Sequence, residues 1–207
     1  MKKIIFIFIL CIAFTSIQAQ TPIDYISRAH GKDSLKDYSG AVSDCNKAIS
    51  INPNDEKAYG ERGLAKLHQS DWNGAISDLS KAIELNPNDE KIYSARGLAK
   101  DALKDYAGAA TDLNKAIELN PNDAMAYFNR SFVMDETNDY NNEISDFDKV
   151  IKLDSLNKFG MNKYAYYRRG NAKHNLNNND AACSDWNKAG ELGESNAYTY
   201  INLYCKN

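Results

Sequence analysis

The chain has 207 residues, of which 43% are hydrophobic and 26% charged, and its formal net charge is −3. These proportions are ordinary for a globular chain and exclude a disordered or collagen-like protein. The slightly acidic balance gives no support for a nucleic-acid-binding surface, which requires a basic face.

Residues 1–19 have the pattern of a secretory signal peptide. Two lysines precede an apolar run from Ile4 to Phe14, which is only about half the ~20 residues that a membrane-spanning helix needs. Cleavage is predicted after the small residue Ala19. The bulky residue before Cys11 argues against lipid attachment at that cysteine. The sequence therefore predicts a bacterial protein that is periplasmic or secreted.

The rest of the chain is one unit repeated five times. An arginine recurs in the frame Y-x-x-R-G or a close variant, and its first four copies are 34 residues apart. Five extra residues, 158–162, precede the last unit. The units span residues 22–55, 56–89, 90–123, 124–157 and 163–193. A period of this length indicates a helix hairpin that stacks on its neighbours.

Each unit has two apolar stripes at helical spacing. Positions 4, 8 and 11 share one face of a first helix, and positions 20, 24 and 27 share one face of a second. Position 8 is glycine, alanine or serine, so the two backbones can approach closely. Glu143 replaces a small residue at position 20, so the fourth hairpin is predicted to pack less tightly. The repeated string N-P-N-D is predicted to end one helix and cap the next.

This pattern closely resembles the tetratricopeptide repeat family over residues 22–193. The resemblance implies an all-α, right-handed solenoid of about five helix-turn-helix units, because a single hairpin cannot bury its apolar surface. A last helix at 195–206 is predicted to cap the stack, with Tyr198, Ile201 and Leu203 burying one face. Residues 20–207 are thus expected to form one domain.

The resemblance also implies a function. Such arrays hold a peptide or helix of a partner protein in the concave groove that their first helices form. The alternative is a structural subunit of a cell-envelope assembly that makes permanent contacts through its edges and ends. Membrane association is expected only through a partner.

No catalytic, metal or cofactor site is predicted. The three histidines lie at different positions of different units and give no i, i+4 metal-binding pair. There is no G-x-S-x-G motif, and the repeated carboxylates are better explained as structural partners than as general acids. We therefore expect neither an enzyme nor a small-molecule substrate.

Position 7 is arginine and position 23 is aspartate in all five units. These positions come level in an antiparallel hairpin, and the planar fork of arginine suits a carboxylate. The sequence predicts five ion pairs; the alternative is that the arginines bind an acidic ligand. The arginines are Arg28, Arg62, Arg96, Arg130 and Arg169, and the aspartates are Asp44, Asp78, Asp112, Asp146 and Asp185.

Cys183 and Cys205 are predicted to form a disulfide. They lie about ten residues before and about twelve after a turn at Gly193, so antiparallel packing of the last two helices brings them level. The alternative is two separate buried thiols. Cys45 occupies position 24 and is predicted to be a small buried hydrophobic residue.

A partner-binding site is predicted on the first helices of units four and five. Positions 2, 5, 9 and 12 lie opposite the core stripe, and here they are rich in aromatic residues, which suit a binding hot spot. The alternative is that these residues fill a joint altered by residues 158–162. The candidates are Met125, Phe128, Phe132, Tyr164, Tyr167 and Asn171, and Asp135 and His174 complete the two stripes.

Overall fold

A computed structural model describes residues 21–154 and 160–205 of the chain. Within these ranges the secondary structure is helical throughout, and no helix is both long and apolar enough to cross a bilayer. The predicted signal peptide lies outside the described residues. The helices are α1 (Pro22–Ser34), α2 (Tyr38–Ile51), α3 (Glu56–His68), α4 (Trp72–Leu85), α5 (Glu90–Ala102), α6 (Tyr106–Leu119), α7 (Ala124–Glu136), α8 (Tyr140–Leu153), α9 (Asn162–Asn175), α10 (Asn179–Glu191) and α11 (Ala197–Tyr204).

The helices form five hairpins that stack in chain order. α1 packs on α2, α3 on α4, and so on to α9 on α10, and the second helix of each hairpin also contacts the first helix of the next. The first helices α1, α3, α5 and α7 touch one another in succession, so they line one continuous surface. The predicted all-α solenoid with a terminal helix is confirmed.

Aspartates begin most of these helices. Asp55, Asp89 and Asp123, the last residues of the N-P-N-D strings, accept hydrogen bonds from backbone N–H groups in the first turns of α3, α5 and α7. These bonds satisfy donors that a helix start leaves unpaired. The turn within each hairpin places a non-glycine residue in the left-handed region, with φ between 57° and 64°. These turn residues are Lys36, Ser70, Lys104, Asn138 and Asn177.

The small residue at position 8 lets the two helices of a hairpin approach closely. A Cβ atom added to Gly63 would lie 2.7 Å from the Leu79 side chain, and one added to Gly170 would lie 2.7 Å from the Trp186 ring. Gly31, on the open side of α1, has nothing within 4 Å of such an atom. The requirement for glycine therefore comes from contact across the hairpin, because a larger residue would force the helices apart.

The terminal helix α11 is shorter than predicted and buries a different face. Tyr198 and Leu203 are 54% and 67% exposed, so the prediction that they are buried is wrong. Instead, Ala197 is buried and Tyr200 and Ile201 pack beside it in the cluster around Trp186 of α10. The spacing of three and four residues selects this stripe, since it brings one face of α11 against the indole ring.

Candidate functional site

The arginines at position 7 form a ladder of ion pairs within the hairpins. Arg96 donates from Nε to Asp112 Oδ2 at 2.8 Å and from Nη2 to Asp112 Oδ1 at 2.7 Å. The other four arginines bond the aspartate of their own hairpin in the same two-point geometry, at 2.5 to 2.9 Å. All five aspartates are buried. The guanidinium groups that an acidic ligand would need are thus already hydrogen-bonded to carboxylates of the protein.

The same arginines also reach across to the preceding unit. In each unit after the first, the arginine Nη1 donates to the side chain at position 25 of the unit before. The acceptors for Arg62, Arg96, Arg130 and Arg169 are Asn46, Ser80, Asn114 and Asp148. Each of these arginines therefore connects three helices from two units.

A lysine at position 11 completes the ladder in four units. Lys100 Nζ lies 2.7 Å from Asp112 Oδ2, and Lys66 makes the equivalent contact with Asp78 at 2.7 Å. The equivalent lysines of the first and fifth units are Lys32 and Lys173. The core stripe predicted for the first helix includes position 11 and does not anticipate this role, although lysine recurs there in four of the five units.

The fourth unit has Met134 in place of that lysine. In the first unit the Arg28 hydrogen bonds, helped by Lys32, hold the pKa of Asp44 well below its usual range. In the fourth unit burial raises the pKa of Asp146, and the bond from Arg130 opposes this effect only in part. Among the described residues, Asp146 is thus the one ladder aspartate that is paired with a single cation.

Glu143 makes the fourth unit unusual for a second reason. Its side chain is only 2% exposed, and within residues 21–154 and 160–205 its Oε2 atom has no hydrogen-bond partner. Burial, and to a smaller extent the negative charge of Asp135, raises the pKa of Glu143 to about 8. Arg168 lowers this pKa but does not offset the burial.

The predicted partner stripe of unit four is only partly free. Met125 is 46% exposed and Phe132 is half-buried. Phe128, however, packs edge-on against Phe147 of α8, with ring centroids 6.2 Å apart. Phe128 thus belongs in part to the core of its own hairpin, which differs from the expectation that this hairpin does not need it. The guanidinium of Arg168 lies 5.1 Å from the Phe132 ring centroid.

The stripe of unit five is partly covered by α11. Tyr167 contacts Tyr200 at 5.7 Å between ring centroids, and the ring of His174 lies 4.3 Å from that of Tyr204. Asn171 accepts a 2.9 Å hydrogen bond from Trp186 Nε1, so it supports its own hairpin. Tyr164 remains 46% exposed. The six candidates therefore do not form one open surface.

An apolar row, of which only Phe132 was among the predicted binding residues, runs along the first-helix surface. Position 9 is Leu64 on α3, Leu98 on α5 and Phe132 on α7. Leu98 is 37% exposed, although it lies within a helix at the centre of the chain. Below Leu64 a cavity of about 160 Å³ opens between the first helices of units one to three. We call this surface, with its row and its cavity, the groove.

The predicted cysteine pair is bonded at the far end of the stack. Cys183 of α10 and Cys205 after α11 form a disulfide, with their Cα atoms 5.6 Å apart. Cys45 is a buried free thiol, and burial raises its pKa to about 12. Among the described residues no three histidine, cysteine, aspartate or glutamate side chains are grouped so that they could hold a metal ion.

These features define a repeat protein of the α-solenoid class, and sequence comparison gives the family. Profiles described as tetratricopeptide repeat match residues 25–55, 90–123 and 113–144, and one described as TPR repeat matches residues 63–100. The chain belongs to the tetratricopeptide repeat family. No curated protein matches it.

Solved structures share this fold. A crystal structure of MamA is 26% identical, with a TM-score of 0.73 over 82% of this chain and 96% of that one. MamA from Desulfovibrio magneticus RS-1 is 19% identical, with a TM-score of 0.74 over 84% and 96% of the two chains. YrrB, described as a TPR protein with an unusual peptide-binding site, is 21% identical, with a TM-score of 0.71 over 84% and 87%.

Removal of one ladder arginine is expected to destabilise the fold. Arg96→Met leaves the buried Asp112 carboxylate with Lys100 alone, so the free energy of unfolding should fall by about 3 kcal/mol in thermal denaturation. Adding Asp112→Leu should recover part of that loss, because the uncompensated buried charge is then gone.

The control for this cycle is Lys115→Met, which removes an exposed ion pair with Glu118. It should change the unfolding free energy by no more than about 0.5 kcal/mol. Strictly additive losses from the two ladder substitutions would contradict the pairing.

The raised pKa of Glu143 makes stability depend on pH. The folded protein retains this proton up to about pH 8, whereas the unfolded chain loses it near 4.5. Ionisation therefore favours unfolding: its cost is absent below the unfolded pKa and is complete once the pH has risen through the folded pKa. Urea titrations at about pH 6 and about pH 9 give the change in the free energy of unfolding over this interval. That free energy should fall by roughly 2 kcal/mol less in Glu143→Gln than in the native chain.

Glu84→Gln is the matched control, because Glu84 is an exposed glutamate on α4. This variant should follow the pH dependence of the native chain. A Glu143→Gln protein that loses as much stability as the native chain over the same interval would show that Glu143 does not hold its proton.

Proposed function

We propose that this protein is an exported interaction module that holds a peptide or helix of a partner protein in the groove. The apolar row of Leu64, Leu98 and Phe132 is the observation that carries the proposal. These side chains lie on successive first helices that touch one another, so a single segment can contact all three. A row of partly exposed apolar side chains is typical of peptide-binding surfaces.

The electrostatics of the ladder support this location. Each arginine at position 7 is paired with a buried aspartate, so these arginines are not available to bind a partner. The groove residues are not engaged in this way. A peptide-binding site is also what the name of the YrrB structure records for that protein. We propose no catalytic role, because the ladder carboxylates are held by cations and the groove acts through shape and charge.

A second candidate is a structural role through the ends of the stack. Ile23 and Leu35 on the α1 side are 72% and 82% exposed, and Leu203 of α11 is 67% exposed. Exposed aliphatic residues at both ends favour permanent contacts with other subunits of an envelope assembly.

Export is proposed from two independent features. Residues 1–19 have the signal-peptide pattern, and the Cys183–Cys205 disulfide is typical of oxidising compartments such as the periplasm. Together these features support localisation in the periplasm or outside the cell.

The groove proposal is tested by selecting peptides from a displayed random library on the purified chain. Leu98→Glu should weaken the selected peptides at least about ten-fold, because it places a charge in the centre of the apolar row. Leu103→Glu is the control, since Leu103 is 42% exposed at the end of α5 and outside the row. It should leave binding unchanged.

Equal loss in both variants, or the absence of any selected peptide, would count against the groove. In that case the two ends are examined through the oligomeric state of an Ile23→Glu, Leu203→Glu variant. A shift to monomer would favour the structural role.

Export is tested by the intact mass of the protein recovered from the periplasm of a Gram-negative host. Loss of residues 1–19 together with two hydrogens is expected, because cleavage should follow Ala19 and the disulfide should form in that compartment. A retained segment, an added lipid or three reactive thiols in the denatured, unreduced protein would contradict it.

A further inference from the structure

The cavity in the groove lies beside a residue that has no side chain. Position 5 is Gly60 in the second unit, whereas the third, fourth and fifth units carry Ser94, Phe128 and Tyr167 there. A Cβ atom on Gly60 would lie 3.0 Å from Cδ1 of Ile92, so that isoleucine forms one wall of the space. Leu64 and Ile26 line it from α3 and α1.

The size and lining of the cavity suit one aliphatic side chain. Its volume is about 160 Å³, and its apolar walls come from three successive first helices together with Ala82 of α4. An apolar cavity of about 150 Å³ is large enough to bind benzene, so a leucine or isoleucine side chain fits such a space. Burial of that side chain would remove from water apolar surface on both partners.

The charged residues around the cavity are mainly acidic. Glu56, Glu61 and Asp89 line it together with a single lysine, Lys57. Asp89 is engaged in capping α5, and Glu61 lies 3.4 Å from His30. Within the described ranges neither Glu56 nor Glu61 forms an ion pair with a lysine or arginine. Glu56 is therefore open to a partner's cation, and Glu61 would exchange its contact with the exposed His30 for one.

A further acidic group lies on α5, on the same helical stripe as Leu98. Asp101 occupies position 12, and its Oδ1 atom is buried without a hydrogen-bond partner among residues 21–154 and 160–205. Burial, with a smaller contribution from the negative charge of Glu136, raises the pKa of Asp101. Acidic side chains on this side of the first helices are thus not confined to the cavity.

We propose that the partner segment in the groove inserts an aliphatic side chain beside Gly60 and pairs its own lysines or arginines with Glu56 and Glu61. This inference rests on the proposed function, since it names the chemistry of the segment that the groove holds. The apolar contact would provide the anchor. The opposite charges would speed association and disfavour acidic segments.

Three fluorescein-labelled decapeptide pools in a Gly/Ser background test the proposal by anisotropy. The first has leucine at the centre and lysines on both sides, the second replaces the leucine by serine, and the third replaces the lysines by glutamates. The first pool is expected to bind at least about ten-fold more tightly than either of the others.

Two variants locate that binding. Gly60→Leu fills the cavity and should abolish the preference for leucine over serine. Glu56→Gln with Glu61→Gln keeps the cavity but removes the charges, so it should weaken the first pool about five-fold and reduce its salt dependence. Glu84→Gln with Glu118→Gln is the matched control, since these exposed glutamates lie on second helices, and it should have no effect.

Equal binding of the leucine and serine pools would overturn the anchor, and a preference for the glutamate pool would overturn the charge pairing. Melting temperatures show whether each variant is folded, and the double glutamine variant tests the idea even if Gly60→Leu is unstable. Library peptides that depend on Leu98 but lack basic residues would leave the proposed function intact and refute this inference alone.

Discussion

The buried aspartate at position 23 is the constraint on which the rest of the structure depends. A carboxylate removed from water must be compensated, and here one guanidinium provides two hydrogen bonds while a lysine adds a second positive charge in four of the five units. In each unit after the first, the arginine also bonds the preceding unit through its Nη1 atom. The ladder therefore sets how the two helices of a hairpin lie and how successive hairpins align, because a shift of either would leave the buried charge unpaired.

This use of cations affects the opposite side of the first helices. The arginine at position 7 and the lysine at position 11 turn their charges towards the hairpin interior, so they contribute little positive charge to the groove. Glu56, Glu61 and Asp101 remain on or near the groove side without strong partners. Segregation of charge is thus a consequence of stabilising the buried aspartates. The apolar row therefore lies beside a cavity whose charged residues are mainly acidic.

Sequence alone could predict the parts of the molecule that repeat. The 34-residue period and the spacing of sixteen residues between Arg96 and Asp112 follow from hairpin geometry, and so does the proximity of Cys183 to Cys205. Features that depend on one particular neighbour could not be predicted in this way. Phe128 is drawn to Phe147 across the hairpin and Tyr167 is covered by α11, whereas the space beside Gly60 appears only once three helices have been assembled.

The fourth unit shows how local departures act together in a stack. Met134 removes the second cation from Asp146, and Glu143 buries a carboxyl group where most units have alanine. Both changes weaken the same hairpin, next to the inserted residues before α9. In a repeat array, stability is close to a sum of unit and interface contributions, so a weak inner unit lowers the coupling between its two sides. The disulfide and α11 secure the fifth unit beyond it, whereas Arg169 joins that unit to Asp148 of the fourth. Unit four is consequently expected to contribute less to the stability of the stack than the first three units.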